Sequence, residues 1–175
     1  MAAELWDEVD KFGEKTGNIV DKITLPNLRQ VVAIWIFNSD SKILLQKRAD
    51  NKRVYPGVWA ETGGGIIHGE TSLEAIHREV REELGVDIDD ERCELIMKFR
   101  TGYVWNDTFF LRQDFDLQDL TIKADEVSDV GWFTIEEIDE LIQQGDFIPY
   151  RWEFVREVCR LYAEGINISK ASYAN

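Results

Sequence analysis

Three glutamates, Glu79, Glu82 and Glu83, stand three and four residues apart in the run Arg78-Glu79-Val80-Arg81-Glu82-Glu83-Leu84. On a helix advancing about 100° per residue, that spacing gathers them within an arc of about 100°. Like charges so placed oppose helix formation, so a face of this kind that is shielded from water needs a cation. Arg78 is one, four residues before Glu82. A divalent ion is stronger, because carboxylate oxygens are the hard ligands that suit Mg2+ or Mn2+, and these ions bridge carboxylates to phosphates. The glycines Gly63, Gly64 and Gly65 ahead of the helix let backbone approach such an ion or a phosphate, since no Cβ obstructs them. The chemistry open to this set is metal-assisted hydrolysis of a phosphoanhydride. The ion acidifies a bound water and neutralises the developing phosphate charge, while a carboxylate takes the proton. The competing reading is a solvated glutamate-rich helix face with no chemistry.

The spacing of the whole segment separates the two. Residues 64–86 satisfy Gly-x5-Glu-x7-Arg-Glu-U-x-Glu-Glu-x-Gly-U, with U aliphatic, at Gly64, Glu70, Arg78, Glu79, Val80, Glu82, Glu83, Gly85 and Val86. This is the pattern of the Nudix box, and the chain resembles a Nudix hydrolase over roughly residues 30–145. The resemblance implies an α/β/α sandwich with a mixed β-sheet, and cleavage of a nucleoside diphosphate derivative with Mg2+ or Mn2+. It implies that Glu79, Glu82 and Glu83 bind metal, with the Gly63 carbonyl as a further ligand and one of the glutamates, or a metal-bound water, as base. Arg78 would orient the carboxylates and Glu70 would brace the loop, leaving Gly64 and Gly85 structural. Family members are often dimers, so a homodimer is open.

A finer resemblance lies outside the box. Glu4-Leu5-Trp6-Asp7-Glu8-Val9-Asp10, the run Ile43-Leu44-Leu45-Gln46-Lys47-Arg48, and Lys52 with Tyr55-Pro56-Gly57-Val58-Trp59 are similar to Nudix proteins related to isopentenyl-diphosphate isomerase. Isomerisation is therefore a rival activity. Against it, the isomerase cysteine motif is missing from residues 59–68, its histidine pattern is missing from a chain with two histidines, and the box is intact. A non-catalytic member that binds a nucleotide or diphosphate is the third reading.

Further candidates flank the box. Arg48, between a strand and a loop, is a possible phosphate contact, since guanidinium matches phosphate oxygens bidentately. Glu126 stands where several family members place a later metal-binding or basic glutamate. Tyr103 and Trp105 are the preferred platforms for stacking a base, ahead of Phe109 and Trp132. His68 reads as a surface imidazole of the glycine loop, and His77 as a packing or surface residue.

These groups need elements to position them. Leu73, Ile76, Val80 and Leu84 recur at helical spacing and predict a helix over 71–84 with its apolar stripe in the core, stopped by Gly85. Val31 to Phe37 predicts a buried strand and Ile43-Leu44-Leu45 its partner. Residues 59–62 read as a short strand ending at the glycines, and 94–101, 104–116 and 129–133 as later strands. A helix over 134–144 starts from a Thr134–Glu137 capping box, and a last helix covers about 150–164. Residues 4–23 read as a hairpin. The expectation is an α/β fold in a single domain over 1–175, with an N-terminal extension (1–28), a core (30–145) and a C-terminal helix (149–165).

The 175 residues carry 34 acidic and 20 basic side chains, a formal net charge of −14. That charge argues against nucleic-acid polymers and anionic lipid as partners. The longest apolar run is too short to cross a membrane, and two cysteines 66 residues apart form no disulfide framework. A cytoplasmic enzyme acting on a small molecule is expected.

Overall fold

The computed structural model describes residues 4–21, 28–148, 152–166 and 168. Alternation along β3 (Arg29–Phe37) organises the molecule: Val32, Ile34 and Ile36 face one core, Trp35 and Phe37 the other. A strand apolar on both sides belongs at the centre of a sheet covered on both faces. β3 pairs in parallel with β8 (Val104–Arg112) along its whole length, and β8 pairs antiparallel with β7 (Glu94–Thr101). On its other side β3 meets β4 (Ile43–Arg48) only at Ile36 and Phe37. Into the gap where those strands diverge fit β5 (Trp59–Ala60), paired with β4, and β6 (Thr62–Gly65), paired with β3. β9 (Val127–Phe133) closes the far edge of β4.

One face of this mixed seven-stranded sheet is covered by α1 (Ser72–Leu84), the other by α2 (Ile135–Gln144) and α3 (Trp152–Ala163). The α/β/α layering expected from the resemblance is the architecture found. α1 begins at Thr71, whose hydroxyl accepts from the Glu74 amide while the Glu74 carboxylate accepts from the Thr71 amide. Gly85 ends it with φ +71, in the left-handed region. Ile76, Val80 and Leu84 are fully buried against the sheet. Each contributes roughly 1.5–3 kcal/mol of burial, so Val80→Asp would detach the helix.

β1 (Leu5–Val9) and β2 (Lys15–Asp21) form the N-terminal hairpin, which reaches the glycine segment through a bridge between Trp6 and Ile67. Of the expected extension, residues 1–3 and 22–27 lie outside the described residues, as do 150 and 151 of the expected last helix.

Several expectations are corrected. Leu73 is exposed, not part of the buried stripe, because the second turn onward carries the packing. The glycines do not follow a strand: Gly63, Gly64 and Gly65 belong to β6 itself, in register with Ala33, Val32 and Val31. The strand expected over 104–116 ends at Arg112, and the one expected from 129 begins at Val127, beside Arg48. Phe109 is core.

Candidate active site

α1 and the N-terminal hairpin lie against β6 closely enough that Cβ atoms do not fit on its glycines. A Cβ on Gly64 would stand 2.2 Å from the Glu79 carboxyl carbon, and one on Gly65 would stand 2.2 Å from the Trp6 ring. Glycine is required at both positions by close approach, not by turn geometry. The result is a cavity of about 520 Å3 walled by the glycine strand, the carboxylate face of α1 and Trp6. Arg48, Lys52, Lys123 and Glu126 complete its lining.

The three glutamates differ sharply within it. Glu79 and Glu83 are buried, whereas Glu82 is about half exposed. Burial raises the carboxyl of Glu79, opposed by the hydrogen bond it accepts from Arg78. Burial likewise pushes Glu83 up to about 7, despite a buried 2.6 Å hydrogen bond donated by Gln46 Nε2. The Glu79 charge adds to that rise, while Lys52 and Arg48 work against it. Gln46 reaches Glu83 because alternation along β4 turns it, with Leu44, toward α1. The sequence reading missed this residue; its one sequence signal is the two-residue alternation that sets Gln46 on the same face of the strand as Leu44.

Arg78 ties the segment together. Its Nε donates to Glu70 Oε1 at 2.8 Å and its Nη2 to Glu70 Oε2 at 3.0 Å and to the Gly65 carbonyl at 2.8 Å. Its Nη1 donates to Glu79 at 2.7 Å and stands 3.8 Å from Glu82. Glu70 also accepts from the Ile67 amide. One guanidinium thus joins the glycine strand, the loop after it and the helix carboxylates.

The other candidates separate. Arg48 lines the cavity but donates from Nε and Nη2 to the carbonyls of Tyr55 and Val54, holding the 49–58 loop. Glu126 lines the cavity and pairs with Lys52. Tyr103 and Trp105 are not among the cavity's walls. Tyr103 is exposed at the β7–β8 turn, and Trp105 packs against Gly13 of the hairpin. His68 is a surface residue with Nδ1 2.7 Å from Asp7, and His77 stands 2.6 Å from Asp90. Neither lines the cavity.

Among the described residues, no three His, Cys, Asp or Glu side chains already converge as a metal centre. The donor set nevertheless fits a hard divalent ion. Two buried carboxylates that burial keeps from ionising freely, a third half-exposed one and a glycine backbone without Cβ atoms surround one cavity.

Fold and site define an α/β/α protein whose carboxylate helix closes on a glycine strand. Residues 27–158 match the model of the NUDIX domain, and the chain belongs to the Nudix family, hydrolases acting on phosphoanhydride bonds. It is 37% identical to an uncharacterized Nudix hydrolase of Listeria innocua over 153 residues, covering 84% of this chain and 89% of that one. It is similar in structure to DR0079 of Deinococcus radiodurans, with a TM-score of 0.74 and 26% identity over 89% of this chain and 99% of that one. A shorter match, 42% identical over 69 residues, covers 39% of this chain and 38% of an isopentenyl-diphosphate Delta-isomerase of Mycolicibacterium vanbaalenii. Within the described residues no helix is long and apolar enough to cross a membrane.

Proposed function

We propose that this protein is a cytoplasmic pyrophosphohydrolase that uses Mg2+ or Mn2+ to cleave the diphosphate linkage of a nucleoside diphosphate derivative. The observation that carries the reading is the pairing of two buried glutamates, Glu79 and Glu83, with a glycine strand and a cationic wall in one cavity. Glu79, Glu82, Glu83 and the Gly63 carbonyl would hold the metal. When bound, that ion supplies Lewis acidity and charge neutralisation at the phosphorus under attack.

The chain's own residues do the rest. Arg78 fixes Glu79 and the Gly65 carbonyl, so the ligand set keeps its spacing. Gln46 holds Glu83 Oε2, leaving the other oxygen for the cavity. Arg48 and Lys52 offer positive charge to diphosphate oxygens from the cavity lining. One of the three glutamates would take the proton from the attacking water. Bond breaking at phosphorus then releases two phosphate-terminated products.

The test is hydrolysis of nucleoside diphosphate sugars, ADP-ribose, NADH, dinucleoside polyphosphates and nucleoside triphosphates with Mg2+. Glu82→Gln and Glu83→Gln are each expected to slow turnover roughly 100-fold while the far-UV dichroism stays unchanged. Full Mg2+-dependent turnover by the double variant would sink the assignment.

The isomerase reading retains one supporting observation, the partial match to the Mycolicibacterium enzyme. Its chemistry lacks a thiol here: neither Cys93 nor Cys159 lines the cavity, and the latter is buried in the core. Isopentenyl diphosphate is expected to yield no allylic isomer.

A further inference from the structure

A second cavity, of about 350 Å3, is bounded by Val31, Ala33, Val104, Asn106, Tyr55 and Glu61. It shares Val31, Gly63 and Gly64 with the first, so the two are neighbours across the glycine strand. Its walls are mostly apolar, with one anomaly. Glu61, between β5 and β6, is only 5% exposed, and its Oε2 has no hydrogen-bond partner among the described residues.

A buried carboxyl oxygen without a donor costs free energy that a leucine at the same place would not. The missing donor is therefore expected from a ligand. The cavity is apolar on its broad walls and offers a carboxyl and the Asn106 amide as polar groups, the pattern of a small-molecule site. At its rim Tyr55 is exposed and held at φ +50, a conformation a bulky side chain rarely adopts; Arg48 fixes it through the Tyr55 carbonyl. An aromatic rim, aliphatic walls and an acceptor at the base suit a flat heterocycle with an N–H edge.

We infer that this second cavity seats the nucleobase of the substrate, and that Glu61 is the residue that selects it by accepting a base N–H. The inference rests on the hydrolase reading for the diphosphate, which would lie in the first cavity. The atoms joining base to diphosphate would run past Gly63 and Gly64, which line both cavities.

The two readings separate in binding measurements that need no hydrolysis. Calorimetric titration with AMP, GMP, CMP and UMP is compared with ribose 5-phosphate, which has no base. At least one nucleotide is expected to bind ten-fold or more tighter than ribose 5-phosphate. Glu61→Leu is expected to bring that nucleotide to the ribose 5-phosphate level, with ribose 5-phosphate affinity unchanged and Tm equal or higher. Glu61→Gln, which replaces an acceptor by an amide, is expected to reorder the four bases. Tyr55→Ala, at an exposed position, is expected to weaken the preferred nucleotide several-fold and serves if either Glu61 variant fails to fold. No base preference in the wild type overturns the inference, as does a preference that survives Glu61→Leu or, should that variant not fold, Tyr55→Ala. Base-dependent binding without hydrolysis of any diphosphate would instead remove the hydrolase reading and leave Glu61 in place.

Discussion

Gly64 carries as much of the site as the glutamates do. Its missing Cβ leaves room for the Glu79 carboxyl, so Gly64→Ala must push that carboxyl away from the glycine strand or lift α1. Turnover is expected to slow roughly 100-fold with Tm lowered by only a few degrees, because the Glu79 carboxyl moves while the core under α1 stays. A change in KM alone would show that Glu79 acts only in binding. At this scale much of the set was legible in the sequence, since nine spaced residue types are a chemical pattern in themselves. Gln46, Trp6 and Glu61 were not legible. They reach cavities from strands and a hairpin whose positions relative to the box depend on pairing between distant segments. Tyr103 and Trp105 show the converse, aromatic residues near a turn whose strand leads them to the surface and the hairpin rather than to the cavity.

Among elements, the N-terminal hairpin is attached in part through charge. Burial would raise the Asp7 carboxyl, but hydrogen bonds from Lys15, His68 and the Gly69 amide outweigh it and hold it at about 2. A depressed carboxyl stabilises the folded form above its ordinary value of 3.8, and that contribution is lost as pH falls through about 2. The contacts run from β1 to the glycine loop, so acid should loosen the hairpin there before the sheet unfolds. Hydrogen exchange between about pH 4 and 2 is expected to show early loss of protection in β1 and β2. Asp7→Asn is expected to remove that pH dependence and to lower protection already at neutral pH. Simultaneous loss of protection in β3 and β8 would refute an element-level response. The helices were readable because capping residues and apolar spacing are local: Thr134 with Glu137 caps α2 as the spacing implied. The glycine strand was not, because glycine has no strand preference and β6 exists through its pairing with β3.

For the whole molecule, a net charge of −14 and an acidic substrate are reconciled only if cations intervene. Mg2+ is then expected to stabilise the fold as well as support turnover. Mg2+ at about 100 times its Kd should raise Tm by about 5–10 °C, and the Glu79→Gln/Glu83→Gln double variant should lose that shift. Equal stabilisation by NaCl at matched ionic strength would reduce the effect to screening of surface carboxylates. The interleaving of strand and helix spacing made the α/β class readable, and composition did the same for the argument against polyanion partners. It was silent on strand order, which is settled by contacts far apart in the chain.

The parallel pairing of β3 with β8 has a consequence in time. Arg29 lies beside Val104 and Phe37 beside Arg112, so every partner along that seam is 75 residues downstream. During synthesis from the N-terminus, β3 leaves the ribosome with one edge unsatisfied, and its most apolar residues wait until β8 emerges. The glycine strand and α1 are made in that interval, and the capping box of α1 satisfies its first amides from within the helix itself. The carboxylate helix is thus synthesised before the floor on which it rests is complete, and over that interval the open edge of β3 is exposed to aggregation.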